Sequence, residues 1–297
     1  MATDAGAATA SATPPAEARD ASGWTALHRA AQAGDVREVE ALLAAGADRE
    51  AQARHGMTPL LVALDYGHEE AALVLLRAGA STAPHAAAGD TALHLAARDG
   101  AMQVLEILLR RGVAPDVRSS SQRTPLHAAA KYDRVEAIAR LLRAGADVDA
   151  VADDAFAPLH VACAEGHLGA ATQLLAAKAR LDLRTRGGET ALHWAVFANR
   201  PVEMHIYERL GQPHKTTFIP QREAKLVELL LARGAAVDAL DDQKNTPLHK
   251  AAMFGAEPAV RALLARGASK TARNGEGLLA HELASRRGNS AIAALLR

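Results

Sequence analysis

The sequence predicts an all-α solenoid of about eight 33-residue helix–turn–helix repeats, because three series of residues keep one register along it. The first series is a four-residue word: TALH from Thr25, TPLL from Thr58, TALH from Thr91, TPLH from Thr124, APLH from Ala157, TALH from Thr190 and TPLH from Thr246. Copies lie 33 residues apart as far as Thr190; the next interval is 56, one period and 23 further residues. Another 33 residues lead to Leu279, inside a worn copy, GLLAHELA. In the second series a glycine stands nine residues after the first letter, at Gly34, Gly67, Gly100, Gly166, Gly255 and Gly288. The third joins a Leu pair at positions +17 and +18, from Leu42–Leu43 to Leu263–Leu264, to a glycine at +21, from Gly46 to Gly267. Eight copies therefore share a register, and the sixth carries a 23-residue insertion at about 200–222.

The physics of one unit follows the chain. The word's Thr suits a helix N-cap, and the Pro that often follows is pre-set for the first helical turn. Leu at +2 and the small residues after it make a thin apolar face. Glycine at +9 permits a sharp turn into a second helix, whose Leu pair is expected to face inward. Glycine at +21 fits the left-handed C-cap conformation. A short polar stretch such as ADVDAVADDA then reaches out and returns. A unit this small cannot bury its own Leu face; stacking the copies buries it, so the array is quasi-one-dimensional.

This pattern resembles the ankyrin repeat family, whose unit is a hairpin, TPLHxAA, GH, then LLxxGADxN. The resemblance runs from about Asp20 to Arg297, and residues 20–297 are expected to form one repeat domain. Departures fall in the fifth repeat, where Ala157 replaces the capping Thr and Lys178 the glycine, and in the eighth, where Leu279 and His281 take the Thr and Leu positions. The resemblance implies that His28, His94, His127, His160, His193 and His249, the fourth letters of the word, brace each helix start through hydrogen bonds. His68 and His167 follow the turn glycine, as in the family's GH. It also implies that partners bind at the hairpin tips and along a groove lined by the first helices.

Bulk composition agrees with closely packed small helices: 49% of residues are hydrophobic and only 3% aromatic. The formal net charge is zero, with 34 basic and 34 acidic residues, so the basic surplus of a dedicated nucleic-acid binder is missing. No stretch approaches the ~20 apolar residues of a membrane span. The first nineteen residues lack the basic and apolar regions of a secretory signal and read as a disordered tail. A lone cysteine, Cys163, permits no internal disulfide, which suggests a reducing, cytoplasmic setting. The expected state is a monomer.

Catalytic and metal signatures are missing. No HExxH, GxSxG, GxxxxGK[ST] or Cys/His zinc spacing occurs, and Cys163 lies where the repeat expects a small buried residue. No catalytic residue, cofactor or metal is therefore expected.

Binding candidates come from the aromatic distribution. Trp24 and Phe156 stand just before the word, Tyr66, Tyr132 and Phe254 at +8, and Phe197 at +7; Met57 and Met253 share these positions. The repeat needs no large side chain there, so they are read as groove contacts for a protein partner; the alternative is that they pack on each other or shield a neighbouring helix. Trp194, at a Leu position in the longer stretch TALHWA, is read as core. Charges at the same positions alternate in sign, which suits a folded protein or peptide better than a polyanion. The insertion RPVEMHIYERLGQPHKTTFIPQR adds Tyr207 and Phe218 as further contacts. His205 and His214 lack a third ligand. The expected function is a non-enzymatic adaptor, scaffold or inhibitor. An enzymatic or metal-dependent site on the insertion, and a purely structural spacer, are the alternatives.

Overall fold

The computed structural model describes residues 18–83, 89–197 and 222–297. Among these residues there are sixteen α-helices in eight pairs and no strand. The pairs are α1 (Ala26–Ala33) with α2 (Val36–Ala44), α3 (Pro59–Asp65) with α4 (Glu69–Arg77), α5 (Ala92–Asp99) with α6 (Met102–Arg110), and α7 (Pro125–Lys131) with α8 (Val135–Arg143). They continue with α9 (Pro158–Ala164) and α10 (Leu168–Ala176), α11 (Ala191–Ala195) and α12 (Arg222–Ala232), α13 (Pro247–Phe254) and α14 (Glu257–Ala265), and α15 (Ala280–Arg286) and α16 (Ser290–Leu296). First helices pack on first helices of the next repeat, and second helices on second.

The predicted core is present, with one refinement. The Leu at +2 is buried in seven repeats, from Leu27 to Leu248. From repeat two on, the first member of the Leu pair is interior, with Leu75, Leu108, Leu141, Leu174, Leu230 and Leu263 fully buried; the second varies, Leu76 and Leu175 being buried and Leu109, Leu142, Leu231 and Leu264 half-buried. Adjacent residues on a helix point about 100° apart, so the second member lies toward the edge of the interior. A truncation at Leu141, rather than Leu142, carries the full cost of about 2–5 kcal/mol expected for a buried Leu.

The histidines hold the repeats together. The backbone N–H of Thr25, Thr91, Thr124, Thr190 and Thr246 donates to Nδ1 of the His three residues on, at 3.1–3.3 Å. The Thr hydroxyl shares the same nitrogen at 2.8–2.9 Å. With Nδ1 accepting, Nε2 carries the proton. In His28, His94, His127, His193 and His249 it donates to the carbonyl just before the next repeat's word, that of Met57, Arg123, Phe156, Asn245 and Leu278. The capping reading is thus partly redirected: the Thr hydroxyl accepts the N3 backbone N–H only at Thr58 and Thr246. Ala157 loses just the hydroxyl contact, because its N–H still donates to His160. In the worn eighth repeat, Glu282 takes the histidine's place and accepts the N–H of Leu279 at 2.7 Å.

Two further staples recur. A donor at +10 reaches back to the +7 carbonyl of the preceding repeat: His68 to Gln32, Arg134 to Arg98, His167 to Lys131 and Asn289 to Met253. This leaves no room at Gly34, where a Cβ would sit 2.4 Å from the His68 ring. A carboxylate at +25 accepts a backbone N–H of the next repeat, in Glu50, Asp116, Asp149 and Asp238. Arg19, assigned above to the tail, donates to the Gln52 carbonyl at 2.6 Å.

The +21 position is left-handed throughout. Six glycines hold φ between 83° and 95°, and Lys178, in the fifth repeat, keeps φ 66° without glycine's freedom. The predicted insertion lies almost wholly outside the described residues; only Arg222 is described, and it opens α12.

Candidate interaction groove

Positions −1, +4, +7 and +8 build one surface along the first helices and the hairpins that precede them. Side-chain contacts between repeats establish this. Arg98 reaches Asp65, both at +7, while Phe197 at +7 stacks on Phe254 at +8, and Phe156 at −1 on Trp194 at +4. Neighbouring hairpins are tied by backbone bonds such as Asp153 to Ser121 and Asp242 to Gly187, which fix the rim.

In repeats two and three the surface is ionic. Arg98 donates to Asp65 and Asp99 at 2.9 Å and to the carbonyls of Leu64 and Asp65. Burial opposes the guanidinium's charge, but Asp99 and Asp65 outweigh it and hold the pKa above its ordinary value. Tyr66 stands beside this cluster with 50% of its surface exposed. In repeat four, Lys131 lies 5.4 Å from the centre of the Tyr132 ring, and burial lowers its pKa.

In repeats five to seven the surface is aromatic. Phe156, Trp194, Phe197 and Phe254 form a continuous ridge with successive ring centroids 4.8, 5.8 and 4.6 Å apart. All four are half-buried. The spacings lie in the favourable range for tilted and edge-to-face pairs. Trp194 is therefore a groove residue as well as a core contact, which corrects the reading of it as core alone. Its indole Nε1 is buried without a hydrogen-bond partner among the described residues.

Beneath the ridge's hairpins, Lys250 at +4 bridges Glu189 at 3.0 Å and Asp241 at 2.9 Å. Burial disfavours the Lys250 charge, yet the hydrogen bonds from Asp241 and Glu189 hold its pKa above the ordinary value. Asp241 is held below its own, against burial, by Lys250 and Asn245. Asn245 donates to Asp241, and Asn274 to Asn245, so the network crosses from repeat six to repeat eight. Farther along, an open cleft of about 540 Å³ is bordered by Met253, Asn274, Arg286 and Arg287.

Of the residues predicted from sequence, the structure brings Phe156, Phe197 and Phe254 together; Tyr66 stands exposed in repeat two, and Tyr132 lies beside Lys131 in repeat four. Met253 lies in the cleft. Trp24 packs on the first repeat with its ring 5.9 Å from His28, and Met57 packs on the core. Tyr207 and Phe218 lie outside the described residues. Sequence reasoning missed position +4, and with it Lys250; the signal was a Trp and a Lys at the same helical position in consecutive repeats. Cys163 is fully buried, and burial pushes its thiol pKa up, away from nucleophilic use. Among the described residues no cluster of three or more His, Cys, Asp or Glu side chains is arranged to hold a metal.

The family model for ankyrin repeats matches residues 9–84, 78–152, 142–204 and 219–297. The chain belongs to the ankyrin repeat family. Comparison with curated proteins finds no match. Ankyrin repeats are in general protein–protein interaction modules, and among the described residues no helix is long and apolar enough to cross a membrane.

Proposed function

We propose that this ankyrin repeat chain is a non-enzymatic adaptor, scaffold or inhibitor, working in the cytoplasm, that docks a protein partner along its first-helix groove and hairpin tips. One observation carries this reading: the ridge of Phe156, Trp194, Phe197 and Phe254 sets four large rings, each half-buried, side by side across three repeats on one face. Clustered aromatic side chains of this kind supply most of the binding energy in protein interfaces. The ionic positions along the groove carry both signs and suit a protein better than a polyanion.

The test is affinity capture from native extract with the full chain and with a Trp194→Ala, Phe254→Ala double variant whose melt remains cooperative. A partner retained by the parent chain and lost by the variant supports the reading. Equal capture by both would remove the groove as the docking surface.

A further inference from the structure

We infer that the groove's occupant is an extended segment of the partner that carries a cationic side chain at one end and a bulky apolar side chain about twelve residues away. This rests on the groove-docking reading above and specifies its ligand. At the first end, the groove positions of repeats two and three hold three carboxylates, Asp65, Asp90 and Asp99, against one guanidinium, Arg98. Arg98 is already satisfied by two of those carboxylates and two carbonyls. The local charge is therefore negative, and Asp65, Asp90 and Tyr66 are its exposed members. An acidic patch beside an exposed phenol face is complementary to a Lys or Arg, which gains both the carboxylate charge and the ring.

At the second end the aromatic ridge has no charged member and is only half covered. It complements a Trp, Phe, Leu or Met side chain. Between the two ends, the cations of repeat four are committed: Arg123 pairs with Asp154 and Lys131 lies against the Tyr132 ring. The carboxylates of Glu165 and Asp90 act on Lys131 as well, so the way between the two ends is of mixed sign. Tyr66 in repeat two and Trp194 in repeat six are four repeats apart. First helices pack about 10 Å apart, so the span is about 40 Å, or about twelve residues of extended chain.

The experiment is selection of a displayed library of random 20-residue peptides on the full chain, followed by titration of the enriched peptides as synthetic molecules. The expected peptides place Lys or Arg about twelve residues from a large apolar residue. Asp90→Asn and Tyr66→Ala, both at exposed positions, should each weaken them about threefold or more, and Asp90→Asn should flatten the salt dependence. Phe254→Ala should weaken them at least tenfold, with Trp194→Leu as the second variant should Phe254→Ala lower the melt. Enriched peptides that need the ridge but are acidic or uncharged overturn this inference and leave groove docking standing. Peptides indifferent to every groove substitution overturn both. An empty selection, or tighter binding of a single-stranded oligonucleotide than of any peptide, overturns the segment as occupant.

Discussion

Two clusters in this molecule share a plan, one cation between two carboxylates, and differ in burial. Arg98, between Asp65 and Asp99, has side-chain exposures of 22%, 44% and 29%. Lys250, between Glu189 and Asp241, has 11%, 18% and 1%. The first lies open on the groove of repeats two and three, where solvent screens it and a partner can reach it. The second is sealed at the junction of repeats six and seven, where Asn245 and Asn274 extend the network. The same plan is thus open to solvent in one place and a buried fastener in the other, and burial separates the two.

Substitution of each cation breaks or sharpens that contrast. Lys250→Ala leaves two carboxylates facing each other in a nearly closed site, and the expected loss is about 3–5 kcal/mol. The loss should hold at high salt, because screening reaches buried pairs poorly. Arg98→Ala should cost about 1 kcal/mol, less as salt rises. Urea denaturation of both variants at low and high ionic strength reads the difference. Equal losses with equal salt dependence would dissolve the distinction between fastener and surface.

The pH dependence separates the ionic clusters from the histidine staples. Burial lowers the pKa of His127 and His160 to about 4, and also lowers those of His28, His94, His193 and His249. A histidine whose folded pKa lies below its unfolded value of 6.5 stabilises the fold fully above pH 6.5. That contribution is lost as pH falls toward 4, because the unfolded chain takes up the proton first. His127 and His160 each contribute on the order of 3 kcal/mol across this window. The Lys250–Asp241 pair stays charged there, since Asp241 titrates below its ordinary value. Stability should therefore be flat above pH 7 and fall steeply from 6.5 to 4. His127→Gln should make the fall shallower; an unchanged slope would mean that the ring is not held neutral.

Much of this fold was legible in the sequence because the same physical demands recur every 33 residues. A cap, a buried Leu at +2 and a left-handed +21 each select a residue type, and repetition makes the choice visible. The +10 and +25 staples were less legible, because several residue types satisfy one hydrogen bond: His68, Arg134 and Asn289 all donate to a +7 carbonyl. The candidate site was legible as positions but not as groupings. Asp65 and Arg98 are one period apart, which the register alone could have paired. Lys250 and Glu189 are 61 residues apart because the insertion intervenes, and their contact needed coordinates. Trp194 was hidden by its place at +4, where a Leu such as Leu95 is interior.

The aromatic half of the array also contains the repeat that departs most from the pattern, and this gives the smallest effect in the series. Repeat five carries Lys178 at the left-handed +21 position, φ 66°, where every other repeat described there has glycine. The cap hydrogen bonds are intact: Lys178 N–H donates to Leu175 and Ala179 N–H to Leu174, at 3.1 and 3.0 Å. The Lys side chain is exposed. What remains is the steric cost of a Cβ in the left-handed region, roughly 1 kcal/mol, offset in part by the greater freedom that glycine gives the unfolded chain. Lys178→Gly should therefore stabilise the array by about 0.5–1 kcal/mol without altering the ridge. Gly145→Lys, at the equivalent place in repeat four, should cost a similar amount, since a Cβ there meets no atom within 4 Å and only the backbone is strained. Urea midpoints of the two variants test this as a pair. Opposite shifts of similar size mean that the two halves share one backbone rule and differ only in the side chains laid over it; a destabilised Lys178→Gly would mean that repeat five is held by its own side chain at that corner.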